Sequence, residues 1–339
     1  MGLFRRSQPS SERVSHPVSA FWSWWEARGH RVDPHRISPL TDELAELVAS
    51  IHPELVWEFG KGVDSEHRLT VSAGGVAAVR PAAERWLRAA PAPTETWEFR
   101  SSKEADPAGA GQTLEIAGAR INLAETTFRV ESSPEELRVH IGVFHPRFPD
   151  LSDQVRGQVS YLLLDWLLGE DDVERWLGHI EPLVVPPGLG GTAQDVVSAV
   201  DQIRSQRDIN EWTLARFADE KGRPGMALFR RGLRWLDHPT LDRHQLVTAR
   251  YRAQPDGLPA DDAAFEELQA MEEELESVAG TRGVLVGHES HCGSRRFHVY
   301  TDGEDQNVDA DLRRWAQQRR VSLQATADPA WSHVRHMTG

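Results

Sequence analysis

Gly283-Val-Leu-Val-Gly-His-Glu-Ser-His-Cys-Gly-Ser-Arg-Arg-Phe-His-Val-Tyr300 places two alternating apolar runs on either side of a short polar break. That pattern predicts a β-hairpin, with a four-residue tip at Ser290, His291, Cys292 and Gly293. If Glu289 pairs with Ser294, then Val286 faces Phe297 and Val284 faces Val299. Those four side chains then share one face, which helices must cover. The opposite face would carry Leu285, His298, Arg296 and Glu289, open to solvent or to a partner.

Outward from the hairpin the order reads as strand 244–252, helix 262–278, the two hairpin strands, helix 308–318 and strand 321–326. This is β-α-β-β-α-β, the ferredoxin-like order. Ala264, Leu268, Met271, Leu275 and Val278 form the apolar stripe of the first helix; Val308, Leu312 and Trp315 form that of the second. Upstream, Trp212–Ala218 and Met226–Arg230 predict a further hairpin around Asp219–Gly225. Pro186-Pro-Gly-Leu-Gly-Gly191 breaks both helix and strand patterns and marks a boundary.

Before that boundary, Phe21-Trp-Ser-Trp-Trp25 reads as a helix face docking on a sheet. Ser38-Pro39 opens a second helix with Leu44, Val48 and Ile51 on one stripe. Leu55–Phe59 and Leu69–Ala73 alternate as an antiparallel hairpin, followed by a helix over 81–90. Strands at 97–99, 113–117, 126–131 and 137–144 and helices at 151–168 and 171–178 complete an expected antiparallel α+β sandwich. Ala73-Gly74-Gly75 lacks a P-loop lysine and reads as a plain turn. The fold class is thus α+β in two domains: a disordered lead at 1–16, an N-terminal domain at 17–186, a linker with a bridging helix at 187–210, and a ferredoxin-like domain at 211–339.

The 339 residues, 39% of them hydrophobic and 12 of them tryptophan, suffice for two cores. A net charge of −14 argues against nucleic acid and anionic membrane as partners, since phosphate affinity comes from clustered lysine and arginine. The single cysteine, Cys292, suits a reducing cytoplasm. No apolar run reaches membrane-spanning length.

His288, His291, Cys292 and His298 are the natural candidates for a metal site, which needs three or four converging donors. The expected register puts His288 and His298 on opposite faces, leaving His288, His291 and Cys292 as a weaker alternative. Cys292 beside His291 lacks an evident oxyanion donor or orienting acid for nucleophilic work. The helix at 262–278 holds Asp262, Glu266, Glu267, Glu272, Glu273, Glu274 and Glu276 without a base of its own. A solvated face is the common explanation of such a run, but like charges at i,i+4 are mildly destabilising, which leaves room for an acidic surface that docks a basic partner or mimics nucleic acid. Glu58, between Trp57 and Phe59, would need burial to act as a general acid, and alternation turns it the other way.

Trp212, Gly222-Arg-Pro224, Asp256-Gly-Leu-Pro259, the acidic helix, Gly287 and Gly293-Ser-Arg-Arg-Phe-His-Val-Tyr300 resemble the bacterial domain of unknown function 695 over about 211–334. Phe21–Trp25, Leu55–Gly60, Leu69–Gly74 and Leu164–Glu170 look like its usual N-terminal companion. The resemblance implies no activity, cofactor or catalytic residue. Related architectures add a domain similar to the protein regulator of ribonuclease E, for which the stretch after Trp331 is too short.

The expectation is a protein-binding or regulatory module without cofactor, using Arg296, His298, Glu289, Glu266 and Glu273 as surface. The rival is a hydrolase with a site between the domains, drawing on Glu58 or the 288–298 hairpin. A deep cleft lined by converging His, Glu and Arg would favour the rival.

Overall fold

The structure, a computed structural model, describes residues 16–254 and 257–338. The expected lead at 1–16 therefore lies outside them apart from His16, as do Pro255 and Asp256 of the quoted Asp256–Pro259 motif.

The fold is α+β. In the first half, helices α1 (Pro17–Ala27) and α2 (Pro39–Ile51) precede strands β1 (Val56–Lys61) and β2 (His67–Ser72), helix α3 (Arg80–Arg88) and strand β3 (Trp97–Arg100). Phe21, Trp22 and Trp25 of α1 are buried against Leu69, Val71, Trp86, Trp97 and Phe99, so the aromatic run is a core face as expected. Trp22 Nε1 donates to the Trp86 carbonyl at 2.8 Å, satisfying its one polar atom in the core.

Strands β4 (Thr113–Ile116) and β5 (Ala119–Asn122) form a hairpin. Strands β6 (Thr127–Ser133) and β7 (Arg138–Phe144), helices α4 (Asp153–Leu168) and α5 (Glu170–Trp176) and strand β8 (Leu177–Leu183) follow. The expected antiparallel sandwich needs correction, because β2–β3 and β7–β8 pair parallel. In each case the connection runs through helix, α3 in one and α4–α5 in the other, and such crossovers return the chain in the same direction. The helix expected over 171–178 ends at Trp176, and β8 takes over. Arg138 Nη1 donates to the carbonyls of Glu174, Arg175 and Leu177 at 2.6, 3.0 and 3.1 Å, holding the helix end that would otherwise be unsatisfied.

Helix α6 (Ala193–Ser205) does not bridge two domains as expected. Its Val196, Val200 and Ile203 are buried in the core of β6, β7 and α4, so that core extends past residue 186.

The second half is one six-stranded sheet with the order β14-β11-β13-β12-β10-β9. Its strands are β9 (Trp212–Ala218), β10 (Pro224–Arg230), β11 (Arg243–Arg250), β12 (Gly283–His291), β13 (Ser294–Thr301) and β14 (Ser322–Ala327). Helices α7 (Asp262–Ala279) and α8 (Gln306–Arg319) fall where the β-α-β-β-α-β reading places them. The hairpin expected upstream, β9–β10, forms and extends the sheet through β10–β12 pairing.

Helices α7 and α8 cover one face of β14, β11, β13 and β12, enclosing Val247, Leu285, Phe297, Val299, Leu268, Leu275 and Leu312. The other face is covered by Trp331, Val334 and Met337 of the C-terminal segment, which ends in α9 (Arg335–Thr338). Arg85 of α3 reaches across to the second half, pairing with Asp242 at 3.0 Å and Asp302 at 2.6 Å.

Candidate functional site

The central hairpin departs from its expected register. His291 pairs with Ser294, so the loop is only Cys292 and Gly293, with φ of 51° and 73°. Two successive left-handed residues are what a two-residue type I′ loop requires. Further along, both Val286 and Gly287 stand opposite His298, a β-bulge that reverses the alternation of β12. Val284 and Val286 consequently join the core on the C-terminal-segment face, while Leu285 joins Phe297 and Val299 beneath α7. All five are buried, but the expected quartet is divided between two faces.

The separation of His288 from His298 survives this change, because between the loop and the bulge the pairing moves by two residues, which leaves each side chain on its own face. His288 lies beside Phe297 under α7, with Nδ1 2.8 Å from Glu272 Oε2. His298 lies on the other face, its Nδ1 3.0 Å from His244 Nε2 and its Nε2 3.7 Å from Glu289 Oε2.

That second face was expected to be open, and it is sealed. His298 and Glu289 are 5% and 7% exposed. His336 of α9 meets Glu289 Oε1 at 2.8 Å, and Arg296, which remains exposed, pairs with Glu289 Oε2. His244 also stacks on His333 at 4.8 Å, and Tyr300 donates to Asp328 Oδ2 at 2.6 Å. Burial, then the imidazoles of His298 and His333, push His244 down to about 3. Burial lowers His298 as well, against the pull of Glu289. Burial alone would raise Glu289, but the imidazoles of His298 and His336 and the charge of Arg296 bring it down to about 2. Two neutral imidazoles share one hydrogen bond beside an ionised carboxylate. This is an enclosed polar core, not a docking surface.

At the loop, the expected trio of His288, His291 and Cys292 does not assemble, since His288 is under α7. Asp219 of the β9–β10 turn stands in its place. Its carboxylate, His291 and Cys292 bring donor atoms within 4.8 Å of one another. Yet His291 Nε2 is the atom near both Cys292 Sγ (3.3 Å) and Asp219 Oδ2 (3.4 Å), so the ring cannot relay a proton between them. Asp219 is also taken up by its own turn. It accepts from the backbone of Lys221 and Arg223 at 3.0 and 2.8 Å and from Arg223 Nε at 2.6 Å.

The acidic helix is less bare than its sequence. Glu274 accepts from Trp315 Nε1 and Arg319 Nε, both at 2.8 Å, and Glu276 pairs with Arg230 at 2.8 Å. With Glu272 on His288, the bases that its sequence lacks arrive from α8, β10 and β12. Glu266 and Glu273 remain exposed on the helix.

A groove of about 580 Å³ opens where α7 stops covering the sheet. Its floor follows the cross-strand rows. Phe297, His288, Leu228 and Leu214 stand side by side across β13, β12, β10 and β9; Arg295, Ser290 and Met226 form the next row. Trp212 closes one end, with the Arg230 guanidinium over its ring at 5.1 Å. Phe265, Gln269, Glu272, Glu273 and Glu276 of α7 form the wall. Phe265 and Leu214 are 52% and 55% exposed, which is unusual for large apolar side chains facing one another. Of the expected site residues only Glu273 and His288 line this groove. Its other determinants were missed, although Phe265, lying off the helix's apolar stripe, was the signal available in the sequence.

The cleft between the halves, about 510 Å³, has Glu136, Arg138, Glu174, Arg175, Arg234 and Arg335 on its walls and no histidine among the described residues. Burial and the neighbouring arginines Arg138 and Arg207 bring Arg234 down to about 9, and it donates to the carbonyls of Arg231 and Glu136 at 2.9 and 3.0 Å. Glu58 is half-buried and 3.4 Å from Lys103 Nζ, outside that cleft. The Gly74–Gly75 turn does cradle an anion, but it is the chain's own: Gly75 N–H donates to Glu170 Oε1 at 2.9 Å. No family model and no curated protein matches this chain. Among the described residues no helix is long and apolar enough to cross a membrane.

Proposed function

We propose that this chain is a non-enzymatic protein-binding module whose site is the groove between α7 and the β9–β10–β12 strip. The observation that carries the reading is an uncovered apolar strip, Trp212, Leu214, Met226, Leu228 and Phe265, beside a helix wall rich in carboxylates. Apolar area left open in a groove rimmed by charge is what a partner's amphipathic segment buries. The rim charge selects basic flanks in that segment, with Glu273 of the wall as a contact. A net charge of −14 disfavours nucleic acid as the occupant. The resemblance to domain of unknown function 695 adds no residue role.

The test is a photo-crosslinking residue placed at Leu214 and, as a control, at Tyr161, an exposed position in the first half. A defined protein adduct is expected from position 214 only, and it should vanish when Leu228→Glu is added. Identical adducts from both positions, or none from the groove, would sink the proposal.

A further inference from the structure

Among the described residues three arginines are buried: Arg80, Arg234 and Arg295, each 4% exposed. Two of them are fully engaged. Arg80 forks onto Asp171 at 3.1 and 2.9 Å and meets Glu84 at 3.1 Å, and Arg234 spends its donors on backbone carbonyls. Arg295 differs. Its one side-chain hydrogen bond runs from Nε to Ser290 Oγ at 2.9 Å, and no carboxylate of the described residues lies within ion-pairing distance. A guanidinium has five N–H donors, and a buried cation without a counter-charge is costly to keep.

The unspent donors are part of the groove lining. Arg295 stands in the row Arg295–Ser290–Met226, flanked by the row that carries His288 and Leu228. The nearest acid, Glu272, is held 2.8 Å from His288 Nδ1. The apolar strip of the floor lowers the local dielectric and strengthens the hold of the guanidinium on an anion that reaches it. We infer that the groove contains an anion subsite, in which Arg295, oriented by Ser290, receives a carboxylate side chain of the bound protein segment. The inference rests on the groove being the binding site and adds what the segment must carry: one acidic residue among apolar ones, with basic residues at its flanks. Floor and rim then read opposite charges, which fixes the segment's register as well as its affinity.

The probes are octanoate, octanol and octylammonium, titrated calorimetrically into the full chain. All three offer the same tail to the apolar strip, and only the first offers a carboxylate. Octanoate is expected to bind at millimolar concentration, at least about tenfold more tightly than octanol, since hydrogen bonds to a charged group contribute about 1.5–3 kcal/mol. Octylammonium should bind more weakly than octanoate. Arg295→Met should bring octanoate to the level of octanol while leaving octanol unchanged, and Leu214→Glu should weaken all three. Should Arg295→Met not fold, the octanoate-to-octanol ratio of the native chain decides alone. Equal binding of octanoate and octanol overturns the anion subsite and leaves the groove standing. Binding of none of the three overturns the groove itself. Octanoate binding at micromolar concentration would assign the site to a free fatty acid and overturn the protein segment.

Discussion

Strand β12 contributes one member to an imidazole–carboxylate pair on each of its faces, and the two pairs have opposite fates. On one side His288 and Glu272 border an open groove. On the other, His298 and Glu289 lie under α9, bonded onward to His244 and His336. The residue types are the same and the burial is similar, so composition cannot distinguish them. What differs is the cover. The C-terminal segment lays Trp331, Val334 and Met337 over one face, whereas α7 stops short of β10 and β9 on the other. A buried polar pair is therefore structural where its surroundings are closed and available for recognition where they are not.

The widest gap between the two sides should appear on truncating their large apolar residues. Trp331 is 1% exposed, stacks on Tyr300 at 4.4 Å and donates to the Leu241 carbonyl at 2.8 Å. Trp331→Ala should cost about 3–5 kcal/mol in urea unfolding, through the cavity and the orphaned carbonyl. Phe265→Ala on the open side should cost under about 1 kcal/mol. Equal costs would mean that the groove is packed and that the contrast is false.

Acid should find the sealed side next. His244 is held near 3, below the ordinary histidine value of about 6.5, so the unfolded chain takes up a proton there before the folded chain does. Its contribution is full above pH 6.5 and is lost as pH falls from there towards 3. Glu289, held near 2, acts in the same direction but later, its contribution fading below about pH 4.5. Unfolding free energy should therefore drop by about 1.4 kcal/mol per pH unit per histidine between pH 6 and 4. His244→Gln should reduce that slope by about one proton. An unchanged slope in the variant would refute the assignment.

The longer helices, the strand order of the second half and the aromatic core of the first half were legible, because periodicities of 3.6 and 2 report burial directly, whereas β5 and β8 were not read as strands. The register of the central hairpin was not. Cys292 occupies a loop position where asparagine or glycine is usual, which concealed the two-residue turn and made the tip look twice as long. The bulge at Val286–Gly287 depends on β10. A Cβ on Gly287 would sit 2.5 Å from the Leu228 carbonyl, so glycine is required by a strand some sixty residues upstream. An isolated glycine inside a strand pattern was the hint, but its partner could not be read locally. The parallel pairs β2–β3 and β7–β8 were hidden for a related reason, since pairing direction is set by the crossover helices and leaves no mark on the strands. The groove was invisible because it comes from a mismatch in length between helix cover and sheet width, and no single segment records that.

The smallest expected effect is also the most selective. Glu273→Lys changes an exposed wall residue whose one side-chain bond, from Gln269 Nε2, is 3.1 Å long. Its stability should stay within about 0.5 kcal/mol of the native chain. If basic flanks of a partner meet the wall, the same change should slow association and flatten its salt dependence, because rim charges act mainly on encounter. Dissociation should be nearly unaffected, since the apolar strip is untouched. On the sealed side the equivalent reversal, Glu289→Lys, would set a cation against Arg296, His298 and His336 and destabilise the fold. Stopped-flow association of a crosslink-identified partner at two ionic strengths separates the cases. An unchanged association rate in Glu273→Lys would remove the acidic wall from recognition and leave the apolar strip to carry it.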